Sequence, residues 1–421
     1  MKITREYTHG GRYDAIVCGG GPAGVAAAIS CARGGAKTLL IEQGGCLGGF
    51  WTRGMLTWLI DTFNKGEFWD EVTSRLEERA DGRKIPHISR FTADTEKTKL
   101  EFERMCREAG VDILYHTLVS DATVSDKRVS AVLTESKSGH VYYDATIFID
   151  ATGDGDLAYL CGAEYELGNE DGKTQPMSLV AHIDGVNVAG TEYDSRHYES
   201  KVAKAKILED MKNAGVEPTY KSPLVAVLSE EYNTIGFMAN HEYGCGLSAK
   251  DISDATVDAR EEIHRIIDAL RVGGGTWRDA RVTATADMIG IREGRRIKGL
   301  YTLTREDVES GRGFYDGICE VTFNTDIHAL SSEGAKAFES KYGGTHPPYQ
   351  IPLRSLISAD LENLLMAGRC ISGDFVAHSS YRVAGPAFRT GEIAGAYAAY
   401  CIRRGTAAHK SISSFIADMK I

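Results

Sequence analysis

Between Tyr13 and Gly24 the chain reads Tyr-Asp-Ala-Ile-Val-Cys-Gly-Gly-Gly-Pro-Ala-Gly, an apolar run that ends in clustered glycines and passes into an alanine-rich stretch. That order demands a buried strand, a tight turn and a helix in immediate succession. Gly19 permits the turn, Gly21 lets the backbone close on a pyrophosphate, and Gly24 lets the helix pack on the strand. Pro22 suits the first helical turn, where its missing N–H costs nothing. The helix expected from Pro22 to about Arg33 turns its N–H groups and positive dipole end to the phosphates, and Ala23 lies in its first turn. Ala36 to Ile41 reads as the next strand, and Glu42 at its end can accept from a ribose 2′-OH. A carboxylate there repels a 2′-phosphate, which favours FAD or NAD over NADP.

At 421 residues the chain exceeds what one core usually supports, so two domains are expected. The net charge of −11 argues against nucleic acid or an anionic membrane as partner. No apolar run approaches about 20 residues and Met1 to Arg12 has no signal-peptide core, so a cytoplasmic protein without a membrane span is expected. Cys18, Cys31, Cys46, Cys106, Cys161, Cys245, Cys319, Cys370 and Cys401 are scattered and form no CxxC pair. A disulfide framework, a zinc ribbon and a cysteine-ligated cluster therefore lack support. No HxxxH, HExxH or Asp-rich loop suggests a metal.

Helices are expected at Asp70 to Ala80 and Lys97 to Ala109, and a short strand at Asp112 to Tyr115 that feeds Thr117, Leu118 and Val119. Val124 to Glu135 and Val141 to Ile149 alternate like hairpin strands. The second runs into Asp150-Ala151-Thr152-Gly153-Asp154-Gly155-Asp156, another glycine turn open to a ligand. From about Glu164 the texture changes, with strands at Met177 to Ile183, Leu224 to Leu228 and Ile235 to Met238 and a helix at Asp254 to Arg271. A strand at Leu364 to Gly368, a Gly373-Asp374 turn and an alanine-rich helix near Val383 to Ile402 return to the opening style. The expected division is residues 1–163 and 346–421 for the nucleotide domain, and 164–345 for an inserted α+β substrate domain.

The N-terminal GGGPAG, the ATGDGD turn, GIREGRRIKG at Gly290 to Gly299 and the late NLLMAGRCISGDFVAHSSYRVAGPAF resemble the large FAD-dependent oxidoreductase family. That family has a glutathione-reductase-like FAD fold and is distantly similar to the fumarate reductase and succinate dehydrogenase flavoproteins. The resemblance implies an α/β chain, a three-layer Rossmann-like FAD-binding domain with a central parallel sheet, and FAD rather than NAD. It places Gly19, Gly21, Pro22, Ala23 and Gly24 at the pyrophosphate and Glu42 with Gln43 at the adenosine ribose. Val119 presents backbone to the adenine, Gly48 and Gly49 run under the ribityl chain, and Thr52 lies near the flavin ring. Thr152 and Gly153 touch the nucleotide, and Asp374 accepts from a pyrophosphate- or ribityl-side hydroxyl. The helix beginning at Val383 and Ala384 points its positive end at the flavin N1/O2 edge, where it favours the reduced anion.

Absences narrow the subclass. Cys46 stands alone where disulfide reductases carry a cysteine pair, and reads as a filler or flavin neighbour. No second glycine fingerprint supports a built-in NAD(P)H site, and no histidine lies in Gly44 to Trp51 for covalent attachment, so FAD is expected to be non-covalent.

For chemistry the best-placed side chains are His378 and Arg382, just before the flavin-facing helix. Histidine can move a proton near neutral pH while hydride passes to or from flavin N5, and arginine can fix an anion bidentately. Structural roles for both, and packing for Tyr381, are the plain alternatives. If Asp287 to Arg296 is helical, Arg292, Arg295 and Arg296 share a face, which makes Arg292 and Arg295 substrate-anion candidates or members of an inter-domain salt-bridge network. His241 and His328 are weaker substrate-side candidates, and His346 reads as a loop residue.

The resulting expectation is an FAD-dependent oxidoreductase that dehydrogenates a small polar substrate, a sugar, hydroxy acid or similar. An external electron acceptor or donor completes the cycle, and a homo-oligomer is compatible. Reduction of an activated alkene, a redox-neutral isomerase or lyase, and a flavin-bearing subunit that needs a partner remain as alternatives.

Overall fold

The computed structural model describes residues 4–77, 90–188, 201–229, 231–333, 337–339, 341 and 343–419. The nucleotide-binding part opens with β1 (Thr8–Cys18), α1 (Pro22–Arg33), β2 (Thr38–Ile41), β3 (Trp58–Ile60), α2 (Glu67–Glu77), β4 (Arg90–Thr92), α3 (Thr95–Ala109) and β5 (Asp112–Leu114). It continues through β6 (Leu118–Ser125), β7 (Arg128–Ser136), β8 (Gly139–Asp150) and α4 (Asp156–Leu160). The middle holds β9 (Tyr165–Glu166), β10 (Ala181–Asp184), α5 (Lys201–Asn213), β11 (Leu224–Ser229), β12 (Thr234–Met238), α6 (Ala249–Gly273) and β13 (Arg281–Thr285). Then come β14 (Arg296–Ile297), α7 (Arg305–Glu309), β15 (Gly317–Val321), β16 (Tyr349–Pro352), β17 (Leu364–Met366), α8 (Phe375–Tyr381), α9 (Ala384–Arg404) and α10 (Ile412–Met419).

A seven-stranded sheet runs β5-β2-β1-β8-β7-β6, with β17 also paired to β8. Val17 lies between Leu40 and Ile149 in parallel register, and Leu365 continues that row beyond Ile149. These strands read as unbroken apolar runs because their residues on both faces of the sheet are buried. On one face α1 and α9 pack backbone to backbone: a β-carbon at Gly391 would lie 2.1 Å from the Ala23 carbonyl oxygen, and one at Gly395 2.1 Å from that of Ala27. Small residues on both helices make this approach possible. The result is a Rossmann-like FAD-binding fold with a central, mostly parallel sheet.

A second sheet, antiparallel in the order β11-β12-β10-β13, carries its own core with Leu179, Ile183, Phe237, Ile263, Ile266 and Trp277. Ile297, Leu303, Ile318 and Val321, which the sequence places in the middle part, pack instead on the first core. Ser248 caps α6 by accepting from the Asp251 N–H, so that helix starts five residues before the expected Asp254.

Three local expectations are corrected. Val124 to Glu135 is not one strand: the chain reverses at Asp126 and Lys127, φ +49° and +59°, a left-handed pair in which lysine stands where glycine is the usual signal. Asp287 to Arg296 is irregular rather than helical: the chain bends at Asp287, Met288 and Arg292, Gly290 bridges to Ser178, and Arg296 with Ile297 pairs as a strand. Of Met177 to Ile183, the ladder begins only at Ala181. The end of the expected helix at Asp70 to Ala80 lies outside the described residues beyond Glu77.

Candidate active site

The glycine turn is built as its spacing requires. Gly19 takes φ +98°, and a β-carbon at Gly24 would lie 1.8 Å from the Gly19 carbonyl oxygen. Gly21 is different: a β-carbon there would meet nothing within 4 Å, so this face of the turn is open. Gly21 is also the N-cap of α1 and supplies no side-chain cap, which leaves the N–H groups of the first turn for a ligand. Glu42 is buried at the end of β2, where its carboxylate accepts from the N–H groups of Gly20 at 2.7 Å and Gly44 at 2.6 Å. Gln43 beside it is exposed. The N–H of Thr117 donates to the Glu42 carbonyl at 3.1 Å, which brings the start of β6 and the half-buried Val119 alongside.

Gly48 and Gly49 both have positive φ, and Gly49 closes on Gly21, 2.9 Å from its Cα to a built β-carbon. The Thr52 hydroxyl donates to the Leu47 carbonyl at 2.7 Å and so ties this loop, while Cys46 lies 3.8 Å from it. Thr152 is similarly engaged, its hydroxyl donating to Asp150 at 2.7 Å and accepting from the Asp156 N–H at 2.9 Å. Burial raises the Asp150 carboxyl to about 6 despite its bonds to Ala158 and Thr152. Val383 caps α9 without a side-chain bond, so that helix too presents free N–H groups at its start.

Asp374 caps α8 by accepting from the Ala377 N–H, and its second oxygen accepts from the Arg305 N–H. The late turn that meets α1 is instead Gly368-Arg369. A β-carbon at Gly368 would lie 3.0 Å from Ala23 Cβ, and Arg369 donates to Asp154 at 2.7 Å beside Gly153. Gly368 and Arg369 escaped the sequence reading, although Gly368 ends the expected strand and takes φ +82°.

The three arginines of Gly290 to Gly299 diverge, because without a helix they share no common face. Arg295 donates to Asp156 at 2.9 Å and lies 4.1 Å over the Tyr159 ring. Arg296 pairs with buried Glu293 and donates to the carbonyls of Gly168 and Gly373 at 3.0 Å. Arg292 alone turns to a second polar cluster, donating to the Pro176 carbonyl at 2.6 Å and the Ser178 hydroxyl at 2.9 Å.

That cluster collects side chains from distant segments. Arg382 donates to the Asp326 carbonyl at 2.9 Å and stands 3.5 Å from its carboxylate. His328 Nε2 is 3.2 Å from the same carboxylate, and His328 Nδ1 is 2.9 Å from His241 Nε2. Gln175 Oε1 accepts from the His328 N–H at 3.1 Å, which fixes the amide orientation and leaves its Nε2 without a partner. Tyr220 stacks on His241 with ring centroids 4.0 Å apart. Asp326, Gln175 and Tyr220 were invisible in sequence, since none belongs to a motif.

Charges follow from burial. Desolvation, with Arg292 and Arg382 nearby, lowers His328 to about 4. Desolvation and then Arg292 lower His241 further, so both rings are neutral at pH 7. Burial alone would raise Asp326, but His328, Arg382 and Arg292 bring it well below the usual carboxylate range. Burial, then Arg382, lowers Arg292 to about 10, still a cation. His378 sits wholly buried in α8 with both ring nitrogens unpartnered. Burial, then Arg296, Arg382 and Arg369, holds it well below its ordinary value.

Two links join this cluster to the nucleotide loops. Phe50 fills the space between Gly54 and Gly290, where β-carbons would lie 1.7 and 2.3 Å from its ring. Arg53 reaches Asp287 at 3.1 Å and Glu42 at 3.4 Å.

A parallel sheet with an open glycine turn, an acidic strand end and two uncapped helix starts defines a dinucleotide-binding flavoprotein fold, and its empty-sided turn fits an FAD pyrophosphate. The chain belongs to the FAD dependent oxidoreductase family, whose model matches residues 14–418. It is 28% identical over 159 residues to Protein FixC of Bradyrhizobium diazoefficiens, covering 33% of this chain and 37% of that protein. It is 31% identical over 150 residues to thiamine thiazole synthase of Methanococcus aeolicus, covering 33% and 54%. The matches thus span about a third to a half of those relatives' lengths. Among solved structures, a geranylgeranyl bacteriochlorophyll reductase-like protein of Thermoplasma acidophilum superposes with TM-score 0.53 at 14% identity, covering 97% of this chain and 83% of that one. The flavin-dependent brominase Bmp2 gives 0.50 at 12%, covering 97% and 82%. The chain is an FAD-dependent enzyme, and no helix among the described residues is long and apolar enough to cross a membrane.

Proposed function

We propose that this enzyme dehydrogenates a small polar substrate carrying an anionic group, such as a hydroxy acid, between the FAD-binding part (residues 1–163 and 346–421) and the middle part (164–345). Bound non-covalently, FAD would supply a hydride acceptor at N5, with an external acceptor taking up the electrons. The glycines at 19, 21, 24, 48 and 49, with Pro22, Ala23, Glu42, Gln43, Val119, Thr152, Gly153, Val383 and Ala384, would hold the cofactor. Asp374 would offer it only the lone pairs left by its capping role.

The observation that carries the reading is an imbalance of charge. Arg292, Arg382 and Arg296 gather around two carboxylates, Asp326 and Glu293, the latter paired with Arg296, and Arg292 has no carboxylate partner among the described residues. Partly buried guanidinium without a counter-ion is costly, and a bound carboxylate restores neutrality through bidentate bonds. The unpartnered Arg382 Nε and Gln175 Nε2 supply further donors. His241, His328 and His378 are all held neutral by burial and nearby arginines, which supports a proton-accepting role and so the oxidative direction.

Anaerobic addition of hydroxy acids, sugars and dicarboxylates to the FAD-loaded protein tests this through the flavin absorbance near about 450 nm. Bleaching by a hydroxy acid, lost in Arg292→Met, is expected. Bleaching by neutral sugars that survives Arg292→Met would overturn the anion requirement.

A further inference from the structure

One polar atom in this cluster has a direction as well as a position. Asp326, held ionised by His328 and two arginines, can only accept, so the His328 nitrogen facing it, Nε2, carries a proton. Neutral His328 then has a bare Nδ1. The atom 2.9 Å away, His241 Nε2, must donate to it. Neutral His241 is left with a bare Nδ1, and this is the ring atom that finds no partner, in a residue only 2% exposed.

Both rings are clamped in this arrangement. The His241 backbone N–H donates to Thr219 Oγ1 at 2.9 Å, and Thr219 is itself anchored by two 2.7 Å bonds to Glu262 on α6. Tyr220 covers one face of His241, Tyr243 lies edge-on at 6.4 Å, and Phe338 flanks His328 at 5.1 Å. The charged groups that face the pair are Arg292, Arg382 and Asp326.

We propose that Asp326, His328 and His241 form a one-way proton relay whose unpartnered end, the buried Nδ1 of His241, takes the hydroxyl proton of the substrate. This rests on the dehydrogenase reading above. The substrate O–H bond breaks and an Nδ1–H bond forms on His241; the Nε2 proton of His241 moves to His328 Nδ1. The positive charge ends on His328 beside the Asp326 carboxylate, and the hydride of the substrate C–H bond goes to FAD as oxidant. His241 is the catalytic residue, and His328 and Asp326 are positioning residues. The relay separates proton uptake at the substrate from storage of the positive charge, which lies one ring farther away beside a carboxylate.

The test is the tautomer order, read by nitrogen-15 NMR of histidine-labelled, FAD-loaded protein at neutral pH without substrate. His241 and His328 are identified by the coupling across their mutual hydrogen bond. Both should be neutral with the proton on Nε2. A proton on His241 Nδ1, or a doubly protonated His328, would reverse the relay and overturn it. In His328→Phe the His241 tautomer should become mixed, whereas His328→Gln, whose side-chain oxygen can accept from Nε2–H, should keep it; an unchanged tautomer in both also overturns the proposal. If the phenylalanine variant does not fold, the unsubstituted protein decides alone. Oxalate serves as a separate anion probe. A perturbed flavin spectrum with the wrong tautomers rejects only the relay, and correct tautomers without an oxalate response reject only the anion-binding reading.

Discussion

Gly395 and Ala27 meet with no side chain between them, since a β-carbon on the glycine would fall 2.1 Å from the alanine carbonyl oxygen. Backbone cannot yield as a flexible side chain does, so Gly395→Ala forces α9 away from α1. A loss of about 1–3 kcal/mol is expected from such overpacking, visible as a lower urea midpoint. Gly391→Ala acts on Ala23, two residues from Gly21 at the open face of the glycine turn. It should in addition lower the FAD content after gel filtration, and a wild-type midpoint with full FAD would contradict the packing described.

Lys65 and Asp61 are fully buried 3.1 Å apart, with Lys65 also donating to the carbonyls of Glu320 at 2.7 Å and Phe63 at 3.0 Å. Lys65→Met strands the Asp61 charge with only Thr322 to solvate it, at a cost of about 3–5 kcal/mol. The double variant Asp61→Asn/Lys65→Met should recover part of that loss. Equal denaturation midpoints for the single and double variants would show that the charge itself is not what matters.

Glu242 gives the stability a pH signature. Burial, with Glu262 and Asp258 nearby, raises its carboxyl from 4.5 to about 7. The folded state therefore binds a proton that the unfolded state has released between these values. The stabilisation from this group is complete below 4.5 and fades as pH rises through about 7. Glu242→Gln should match the wild-type Tm at pH 4 and exceed it at pH 8, by ~2 °C after allowance for its partial exposure. Differential scanning calorimetry at the two pH values would expose an advantage of the wrong sign.

Arg292→Met trades binding for stability. Removing a desolvated cation that lacks a carboxylate should raise the ligand-free Tm by ~1–3 °C while the response to oxalate disappears. Sulfate should stabilise the unsubstituted protein more than this variant, by thermal melts at matched ionic strength. A lower Tm in Arg292→Met would mean that its bonds to Pro176 and Ser178 outweigh its desolvation.

The nucleotide half was legible because each of its parts is local. Strand, glycine turn, helix and acidic strand end follow one another within Tyr13 to Glu42, and the backbone conformations they need are those that glycine and proline favour. The Asp126-Lys127 turn was missed for the complementary reason, since neither residue advertises a left-handed pair there. The polar cluster was only half legible. Arg382 could be found from its place before α9, but it meets Asp326 and Gln175, and through Asp326 the His328–His241 pair, only through tertiary packing of segments up to 207 residues apart. Helical spacing also misled at Arg292, Arg295 and Arg296, where an irregular chain sends each guanidinium to a different neighbour.

Phe50 gives the molecule a mechanical constraint. Its ring is seated between Gly54 of the glycine-rich 48–54 loop and Gly290 of the segment leading to Arg292, and Arg53 of the same loop pairs with Asp287 of the same segment. The seat works as a rivet. Sliding of the 48–54 loop along the segment that leads to Arg292 would drive the ring into the backbone of Gly54 or Gly290, so relative movement of the two segments meets least resistance as a swing about this seat.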